Sequence, residues 1–460
     1  MNNTLRTVAA LMMLAHGSAT AQWSNADTLN LLKQEALLQR AVRPPPAGPM
    51  LIWTGVGFDP LPPSDIKAIR SLGFNQHLPL TKHYGETAQA LYDANAPIQI
   101  MEGLKQFPIQ APNGSTRPFP QSPEESLNLR QWRQVSRLID ESLGLYEDKA
   151  ISVDALWLDY EGFPFSAPYP KATSSTVSPA NVSPEQWPAF HRQLALNVAS
   201  TYICAPARER FPAISTLNWL SILSFPENPV KNVIGEPTAT SGPTLFTHSN
   251  PYAYGNTLAF EKSGLGTNSN QQAVDQFYLN LLLRHVSIDA QNRISAAPYL
   301  GAIPWVARIV RDGSTPELPT MSRSTYREAL RHLWLRDIDG MLVFNSPHLS
   351  REEHQAEILD VAQVWREFEP HYSLIRKGKT CNLAMSNAQC HYLWSGKATS
   401  SAALVHFTVI GPDAPPSAQV TLWNKTYNFP LPQNGGKTFY IWRGFGSVEL
   451  DIITELSTTP

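Results

Sequence analysis

Two carboxylates two residues apart are the strongest candidates for chemistry in this sequence. Asp159 and Glu161 end an apolar run that begins at Ala155, and Gly162 follows them. Residues i and i+2 of a strand lie on one face, so both acids would share a face with Trp157 below them. Each carboxylate raises the pKa of the other, which favours one acid that keeps its proton and one that stays ionised.

That division of roles is what cleavage of a glycosidic bond requires. Two Cα atoms about 7 Å apart on one strand are poorly placed to flank a bond as separate nucleophile and acid. The spacing fits substrate-assisted cleavage better: the sugar's N-acetyl oxygen attacks the anomeric carbon, Glu161 protonates the leaving oxygen, and Asp159 orients the acetamido group. The alternative is a structural pair, with one acid bonded to a loop and the other solvated.

Other predicted strand ends carry side chains that suit sugar hydroxyls and sugar faces. With Trp157, the candidate substrate-binding residues are Glu102, Asn218, Trp219, Tyr252, Tyr299 and Asn345. Glu102 could instead cap a loop, and each of the others could serve packing. No metal-ligand spacing or nucleotide-binding loop is found, so neither a metal nor a cofactor is predicted.

The elements that would position these residues alternate between strand-like and helix-like segments from Met50 to Ile375. This alternation predicts an α/β fold, namely a parallel sheet closed as a (β/α)8 TIM barrel, whose active site lies at the carboxyl ends of the strands. An open doubly wound sheet is the alternative. The predicted strands are 50–58, 74–80, 97–104, 155–161, 214–220, 245–250, 294–303 and 341–345.

The two ends of the chain differ from this middle part in composition and in predicted secondary structure. Residues 1–21 read as a secretory signal peptide, with Arg6, a short apolar run and an Ala19-Thr20-Ala21 cleavage site. A lead-in segment covers 22–48, the barrel covers 49–377, and short strands over 378–460 predict a small C-terminal β domain of the sandwich type.

Composition restricts the partners. The 460 residues carry a net charge of −2, so no basic field for nucleic acid exists, and no apolar run is long enough to span a membrane. Export predicts a disulfide between Cys381 and Cys390. Cys204, in an apolar helical segment, is predicted to be a buried free thiol.

The segment Leu158-Asp159-Tyr160-Glu161 resembles the aspartate–aromatic–glutamate motif of the hyaluronidase family, and more loosely of chitinase-like barrels. The segment Asp339-Gly340 through Asn345-Ser346 is similar to the last strand of that family. The resemblance implies a barrel in which Glu161 is the acid/base and Asp159 positions the acetamido group, with Tyr252 matching a tyrosine near that group.

These observations favour a secreted, retaining glycoside hydrolase acting on an N-acetylhexosamine-containing glycan. A second hypothesis pairs Glu161 with a carboxylate of another strand, Glu102 or Glu236, for cleavage of a plain hexose polymer. A third is a barrel protein that binds carbohydrate without cleaving it, because a barrel does not imply activity. In each case the partner is an oligo- or polysaccharide.

Overall fold

The fold is taken from a computed structural model of the chain, which divides into two compact units. Unit 1 comprises residues 1–44, 78–227 and 238–248, and unit 2 comprises 45–77, 228–237 and 249–460. The structure describes residues 50–56, 72–79, 99–102, 109–110, 116–117, 129–158, 183–185, 199–218, 224–225, 238–239, 245–256, 260, 263–296, 298–310, 318–345, 349–384, 391–443 and 452–456.

Unit 1 contains three neighbouring parallel strands, β3 (Gln99–Glu102), β6 (Ala155–Leu158) and β7 (Ser215–Asn218). β6 is buried on both faces, as its continuous apolar sequence predicts. Short strand pairs also occur, β4 (Ile109–Gln110) with β5 (Thr116–Arg117) and β8 (Ser224–Phe225) with β9 (Thr238–Ala239).

Helix α1 (Leu129–Glu147) of unit 1 packs against a helical segment that changes its pitch. A π-helical turn (Ser200–Cys204) leads into α2 (Ala205–Arg210), and Pro206 lies at the start of α2. Proline has no N–H to give an ordinary helical bond, and the wider turn accommodates it. The same turn leaves the Ser200 hydroxyl to accept from the backbone N–H of Leu245 at 2.9 Å.

Five parallel strands belong wholly or partly to unit 2, and each pairs with the next in the order β11, β13, β14, β1, β2. Their bounds are β1 (Met50–Val56), β2 (Asn75–Pro79), β11 (Tyr252–Asn256), β13 (Trp305–Val310) and β14 (Gly340–Asn345). The short strands β10 (His248–Ser249) and β12 (Gly301–Ala302) precede β11 and β13.

The helices of unit 2 bury apolar faces in one core together with Val306, Met341 and Val343 of the strands. They are α3 (Gln271–Ala296), α4 (Arg323–Trp334), α5 (Arg351–Phe368) and, after a 3-10 turn (Glu369–His371), α6 (Tyr372–Lys377). Ser322 caps α4, and Ser350 with Glu353 forms a capping box on α5.

The C-terminal strands of unit 2 form a five-stranded and a two-stranded antiparallel sheet. Their bounds are β15 (Lys379–Thr380), β16 (Tyr392–Ala398), β17 (Ala402–Val409), β18 (Ser417–Leu422), β19 (Lys425–Pro430), β20 (Gly436–Trp442) and β21 (Ile452–Leu456). Val405 and Phe407 of β17 pack with Val420 and Phe429 of the small sheet. The alternate residue Leu404 packs with the helices, so β17 is buried on both faces.

The α/β class predicted from the sequence is confirmed, and each predicted strand of the middle region overlaps a described strand. Two predicted strands of the middle region are misplaced. The prediction at 245–250 covers only the short strand β10, and the sixth parallel strand is β11, which begins at Tyr252. Residues 294–296 continue α3, because nothing stops the helix before Pro298, and the seventh parallel strand begins only at Trp305. In the C-terminal β region, β18 and β19 form a hairpin whose turn is Trp423 and Asn424.

Of the predictions about the cysteines, one is confirmed and one is wrong. Cys204 is buried and forms no disulfide, as predicted. The predicted disulfide of Cys381 is not formed: its thiol is free and donates to the carbonyl oxygen of Lys379 at 3.7 Å. Burial raises the pKa of Cys381 to about 11, so the thiol stays protonated at neutral pH. Cys390, the signal peptide and the lead-in segment lie outside the described residues.

Candidate functional site

The carboxyl ends of β3, β6 and β7 form a level edge in unit 1. Glu102 is in register with Leu158, and Leu158 is in register with Asn218. The backbone leaving Leu158 therefore starts between the last residues of two neighbouring strands. Ligands of α/β proteins bind at such carboxyl edges.

Asp159 and Glu161, the predicted catalytic residues, lie outside the described residues, as does Trp219. In the sequence, Asp159 directly follows Leu158 and Trp219 directly follows Asn218, the last residues of β6 and β7. The backbone of Glu102 is placed at the same edge. The edge thus brings together the backbones of Glu102, Leu158 and Asn218.

Trp157 lies one residue before the end of β6, between Met101 and Leu217 of its neighbours. Its side chain has 0% exposure, so it supports the strand end from below and offers no open face. The indole N–H finds no acceptor among the described residues. A buried donor of this kind costs about 1–3 kcal/mol when it is left unpaired. Asn218 is 9% exposed, so only a small part of it could contact a ligand.

An aromatic cluster lies on β11, β13 and β14 of unit 2. The ring centroid of Tyr254 is 5.4 Å from that of Tyr252 and 6.1 Å from that of Phe344, and the Trp305 centroid is 5.5 Å from Phe344. Tyr252 also meets His285 edge-on at 4.0 Å. Burial raises the pKa of Tyr252 above its ordinary range, so its phenol keeps its proton.

Sequence reasoning found Tyr252 as a site candidate but passed over Phe344. Tyr252 and Phe344 are partly exposed, whereas Tyr254 and Trp305 are buried. Phe344 could have been found from the alternation of side chains along a strand. Met341 and Val343 pack in the helix-facing core, so Leu342 and Phe344 lie on the opposite face of the strand. Asn345 is the next residue, and only its backbone, in register with Val56, is described.

Tyr299 does not belong to the carboxyl edge. It lies between the end of α3 at Ala296 and the start of β12 at Gly301, which is the amino end of the seventh strand. Its side chain is 55% exposed. The prediction failed because the strand was placed about ten residues too early in the sequence, where α3 in fact continues.

Asp337 and Asp339 make partly buried contacts at that amino end, where Asp339 accepts from the backbone N–H of Ala302 at 2.9 Å. Asp337 accepts from Arg293 Nη1 at 3.2 Å and from Lys397 Nζ at 2.6 Å. Burial alone would raise the pKa of Asp337, but the charges of Arg293 and Lys397 outweigh it and lower the pKa. These acids stabilise the fold and are already paired.

No family model and no curated protein matches this chain. Among solved structures, it is similar to a GH36 alpha-galactosidase from Geobacillus stearothermophilus bound to stachyose, with 10% identity and a TM-score of 0.44 over 90% of this chain and 58% of that one. An alpha-galactosidase from Lactobacillus brevis is 11% identical, with a TM-score of 0.44, over 92% of this chain and 59% of that one. A GH5-4 endoglucanase from an uncultured bacterium is 7% identical, with a TM-score of 0.39, over 72% of this chain and 96% of that one.

The chain thus spans less than two thirds of the alpha-galactosidases it matches. Similarities at this level assign neither a fold nor an activity to it. No helix among the described residues combines the length and the apolar character needed to cross a membrane.

Proposed function

We propose that this protein is a glycoside hydrolase whose catalytic carboxylates follow strand β6. One observation carries the proposal: the carboxyl ends of β3, β6 and β7 are level, and Leu158, which directly precedes Asp159-Tyr160-Glu161 in the sequence, lies between Glu102 and Asn218. A strand end with two acids, flanked by a third acid and an amide, has the groups needed for acid catalysis and for binding sugar hydroxyls.

The proposed chemistry is retaining and substrate-assisted, on a glycan that contains an N-acetylhexosamine. Glu161 donates a proton to the glycosidic oxygen as the bond to the anomeric carbon breaks. The acetamido oxygen of the substrate forms the new bond to that carbon, and Asp159 accepts from the acetamido N–H. Water then opens the cyclic intermediate, with Glu161 taking its proton.

A second mechanism pairs Glu161 with Glu102 on a plain hexose polymer. The register of Glu102 with Leu158 favours this pair over one with Glu236, because β3 and β6 are direct neighbours. In such an enzyme the two carboxyl groups would stand roughly 5–5.5 Å apart for retention or 6.5–9.5 Å apart for inversion.

Three substitutions separate these mechanisms: Glu161→Gln, Asp159→Asn and Glu102→Gln, assayed on chitin-type, hyaluronan-type and plain hexose oligosaccharides. Loss of general acid catalysis lowers kcat by about 10²–10⁴-fold. The substrate-assisted mechanism predicts such losses for Glu161→Gln and Asp159→Asn while Glu102→Gln keeps most of its activity. Losses for Glu161→Gln and Glu102→Gln on a plain hexose substrate would support the second mechanism.

Glu209→Gln serves as the matched control, because Glu209 is exposed at the end of α2, away from the strand edge. If the wild type binds a glycan but cleaves none, or if all variants cleave as it does, the hydrolase assignment to these carboxylates is wrong. The first of these outcomes would support a barrel protein that binds carbohydrate without cleaving it.

We also propose that the parallel strands form one (β/α)8 barrel and that the protein is exported. The barrel is supported by strand order, because within each unit the strands that pair are consecutive in such a barrel. Export is supported by the signal-like segment 1–21, and the intact mass of the mature protein should correspond to a chain that begins at Gln22.

A further inference from the structure

Unit 2 contains a buried group of polar and charged side chains between helix α4 and the five-stranded sheet, here called the polar seam. Its members are contributed by both sides and are all buried. They are Glu328, Arg331, His332 and Arg336 from or just after α4, and Ser395, His406 and Thr408 from β16 and β17.

Glu328 is the acceptor at one end of the polar seam. Its Oε2 accepts from His406 Nε2 at 2.8 Å and from the Thr408 hydroxyl at 2.9 Å, and its Oε1 accepts from Arg331 Nη1 at 2.7 Å. Arg331 also binds both carboxylate oxygens of Glu367. Burial alone would raise the pKa of Glu328, but the hydrogen bond and charge of His406 and the charge of Arg331 outweigh it, so the pKa is lowered.

These contacts place the proton of a neutral His332 on Nε2. The Thr408 hydroxyl has one hydrogen and gives it to Glu328, so His332 Nε2, at 3.0 Å from that hydroxyl, must donate to it. On the other side, Ser395 Oγ accepts from Arg336 Nε at 2.8 Å and lies 2.9 Å from His332 Nδ1. A neutral imidazole carries one proton, which Nε2 holds, so Nδ1 of neutral His332 has a free lone pair and the Ser395 hydroxyl donates to it.

As a neutral imidazole, His332 lies in the middle of a directed chain that runs from Arg336 through Ser395, His332 and Thr408 to Glu328. A second proton on Nδ1 would face the Ser395 oxygen, and the Ser395 hydrogen would lose its acceptor. It would also add a positive charge beside Arg336, Arg331 and His406 in a region that excludes water. A buried charge of this kind is costly, because Glu328, the acid of the polar seam, is already bound by His406 and Arg331.

We propose that His332 is a proton-sensitive pin, which holds the C-terminal sheet on helix α4 while it is neutral and loosens that packing when it gains a proton in mildly acidic solution. The groups that face it are Glu328, Arg331 and Arg336 from the α4 side, and Ser395, His406 and Thr408 from the sheet.

The direction of the pH effect follows from His332. Burial lowers the pKa of folded His332 well below its ordinary value, and the charges of His406, Arg336 and Arg331 add to this. The unfolded or opened state, with an ordinary pKa near 6.5, then binds more protons below that pH. The stabilisation is fully present above about pH 6.5 and is lost as the pH falls below it. Glu328 and Asp337, whose pKa values are lowered, act only at more acidic pH.

Hydrogen exchange followed by mass spectrometry tests this on the full-length protein. The exchange rates of the amides of α4 and β17, corrected for the intrinsic pH dependence of exchange, should rise about tenfold when the pH falls from about 7.5 to about 5.5. In the opened state His332 has its ordinary pKa, so at the lower pH its protonated form is about ten times more populated than its neutral form. In His332→Gln, whose amide can both donate and accept, this rise should disappear. The matched control His391→Gln changes an exposed histidine at the edge of β16 and should keep it.

An unchanged exchange rate in the wild type, or the same rise in His332→Gln, would overturn the proposal. If His332→Gln does not fold, nitrogen chemical shifts of ¹⁵N-histidine in the wild type decide the question. A buried histidine should then show the neutral Nε2–H tautomer at pH 7 and retain it below about pH 6.5. Titration of every histidine near its ordinary pKa would refute the pin.

Discussion

At the scale of single residues, Gly436 leaves space for a buried charge. A Cβ atom at this position would lie 1.9 Å from Glu328 Oε2 and 2.7 Å from His406 Cε1. Atoms cannot approach so closely, and Glu328 cannot move away without losing His406, Thr408 or Arg331. The glycine at the start of β20 is therefore required by the polar seam, which lies far from it in sequence.

Gly436→Ala is expected to destabilise the protein by at least about 1–3 kcal/mol, the usual cost of overpacking, with a further cost for the displaced carboxylate. Urea unfolding at neutral pH measures the loss. Gly266→Ala is the matched control, because a Cβ at Gly266 would meet no atom within 4 Å, and its effect should stay within about 0.5 kcal/mol. Equal stability of the two variants would show that Glu328 is not held as the structure has it.

Residue types and spacing predicted some of these roles and missed others. The packing role of Trp334 and Trp365 was predictable from their helices, and their rings lie 4.9 Å apart in the core. His332 and His406 gave no signal, because their significance depends on two segments that approach each other only in the folded chain. Tyr299 was misplaced because an apolar stretch at a helix end resembles a buried strand.

At the scale of elements, the β18–β19 hairpin depends on an unusual turn. Leu422 pairs with Lys425, and the two residues between them, Trp423 and Asn424, have φ values of 51° and 63°. Positive φ at both positions is what a two-residue type I′ hairpin requires. Asparagine tolerates this conformation, whereas tryptophan does so at a cost of about 1–2 kcal/mol.

Contacts made by the tryptophan side chain offset that cost. Trp423 Nε1 donates to the Thr399 carbonyl oxygen at 2.7 Å, and the Arg443 guanidinium lies 5.7 Å from the ring centroid. This is why the sequence did not reveal the turn: residue 423 is a strand-forming type, and its left-handed backbone is selected by contacts with distant residues.

Asn424 provides a matched pair of substitutions for the turn. Asn424→Gly should leave stability unchanged or raise it slightly, because glycine adopts positive φ without strain. Asn424→Ala should lower it by about 1 kcal/mol. Thermal unfolding of the two variants against the wild type measures both effects, and an alanine variant as stable as the glycine variant would be inconsistent with a left-handed residue 424.

The parallel strands, in contrast, were largely predictable. β1, β6 and β14 are short apolar runs bounded by turn residues, which is the pattern of strands buried on both faces. Their register was not predictable, because it depends on hydrogen bonds between strands that are distant in sequence. The level ends of Glu102, Leu158 and Asn218, which carry the functional proposal, therefore had to come from the structure.

At the scale of the whole molecule, the C-terminal strands share their core with the helices of unit 2. Composition changes near Gly378 and predicts a separate β domain from that point. In the structure, Leu393 and Leu404 of the sheet belong to the same buried cluster as Tyr326 and Trp334 of α4. The polar seam also joins residues from the two sides of Gly378, because Glu328 and Arg331 come before it in the sequence and His406 comes after it.

A chain that ends at Lys377 is therefore expected to misfold. Removal of the strands would expose the apolar face of α4 and would leave the buried groups Glu328, Arg331 and Arg336 without the sheet residues that pack on them. Each large apolar side chain of α4 that is exposed in this way costs about 1.5–3 kcal/mol, so the loss of several is a large part of the stability of an ordinary domain. The truncated protein should be insoluble or should bind a hydrophobic dye and unfold without a sharp transition.

The intact protein should unfold α4 and the C-terminal sheet in one step, so urea curves recorded by circular dichroism and by tryptophan fluorescence should coincide for this part of unit 2. Co-expression of residues 378–460 as a separate chain is the control, since it restores the missing surface without restoring the peptide bond. A truncated protein with a sharp transition at the wild-type midpoint would show that the sheet is a dispensable domain, as the change in composition at Gly378 suggests. Rescue by the separate chain would instead show that the shared core, with its buried histidines and acids, holds the two parts together.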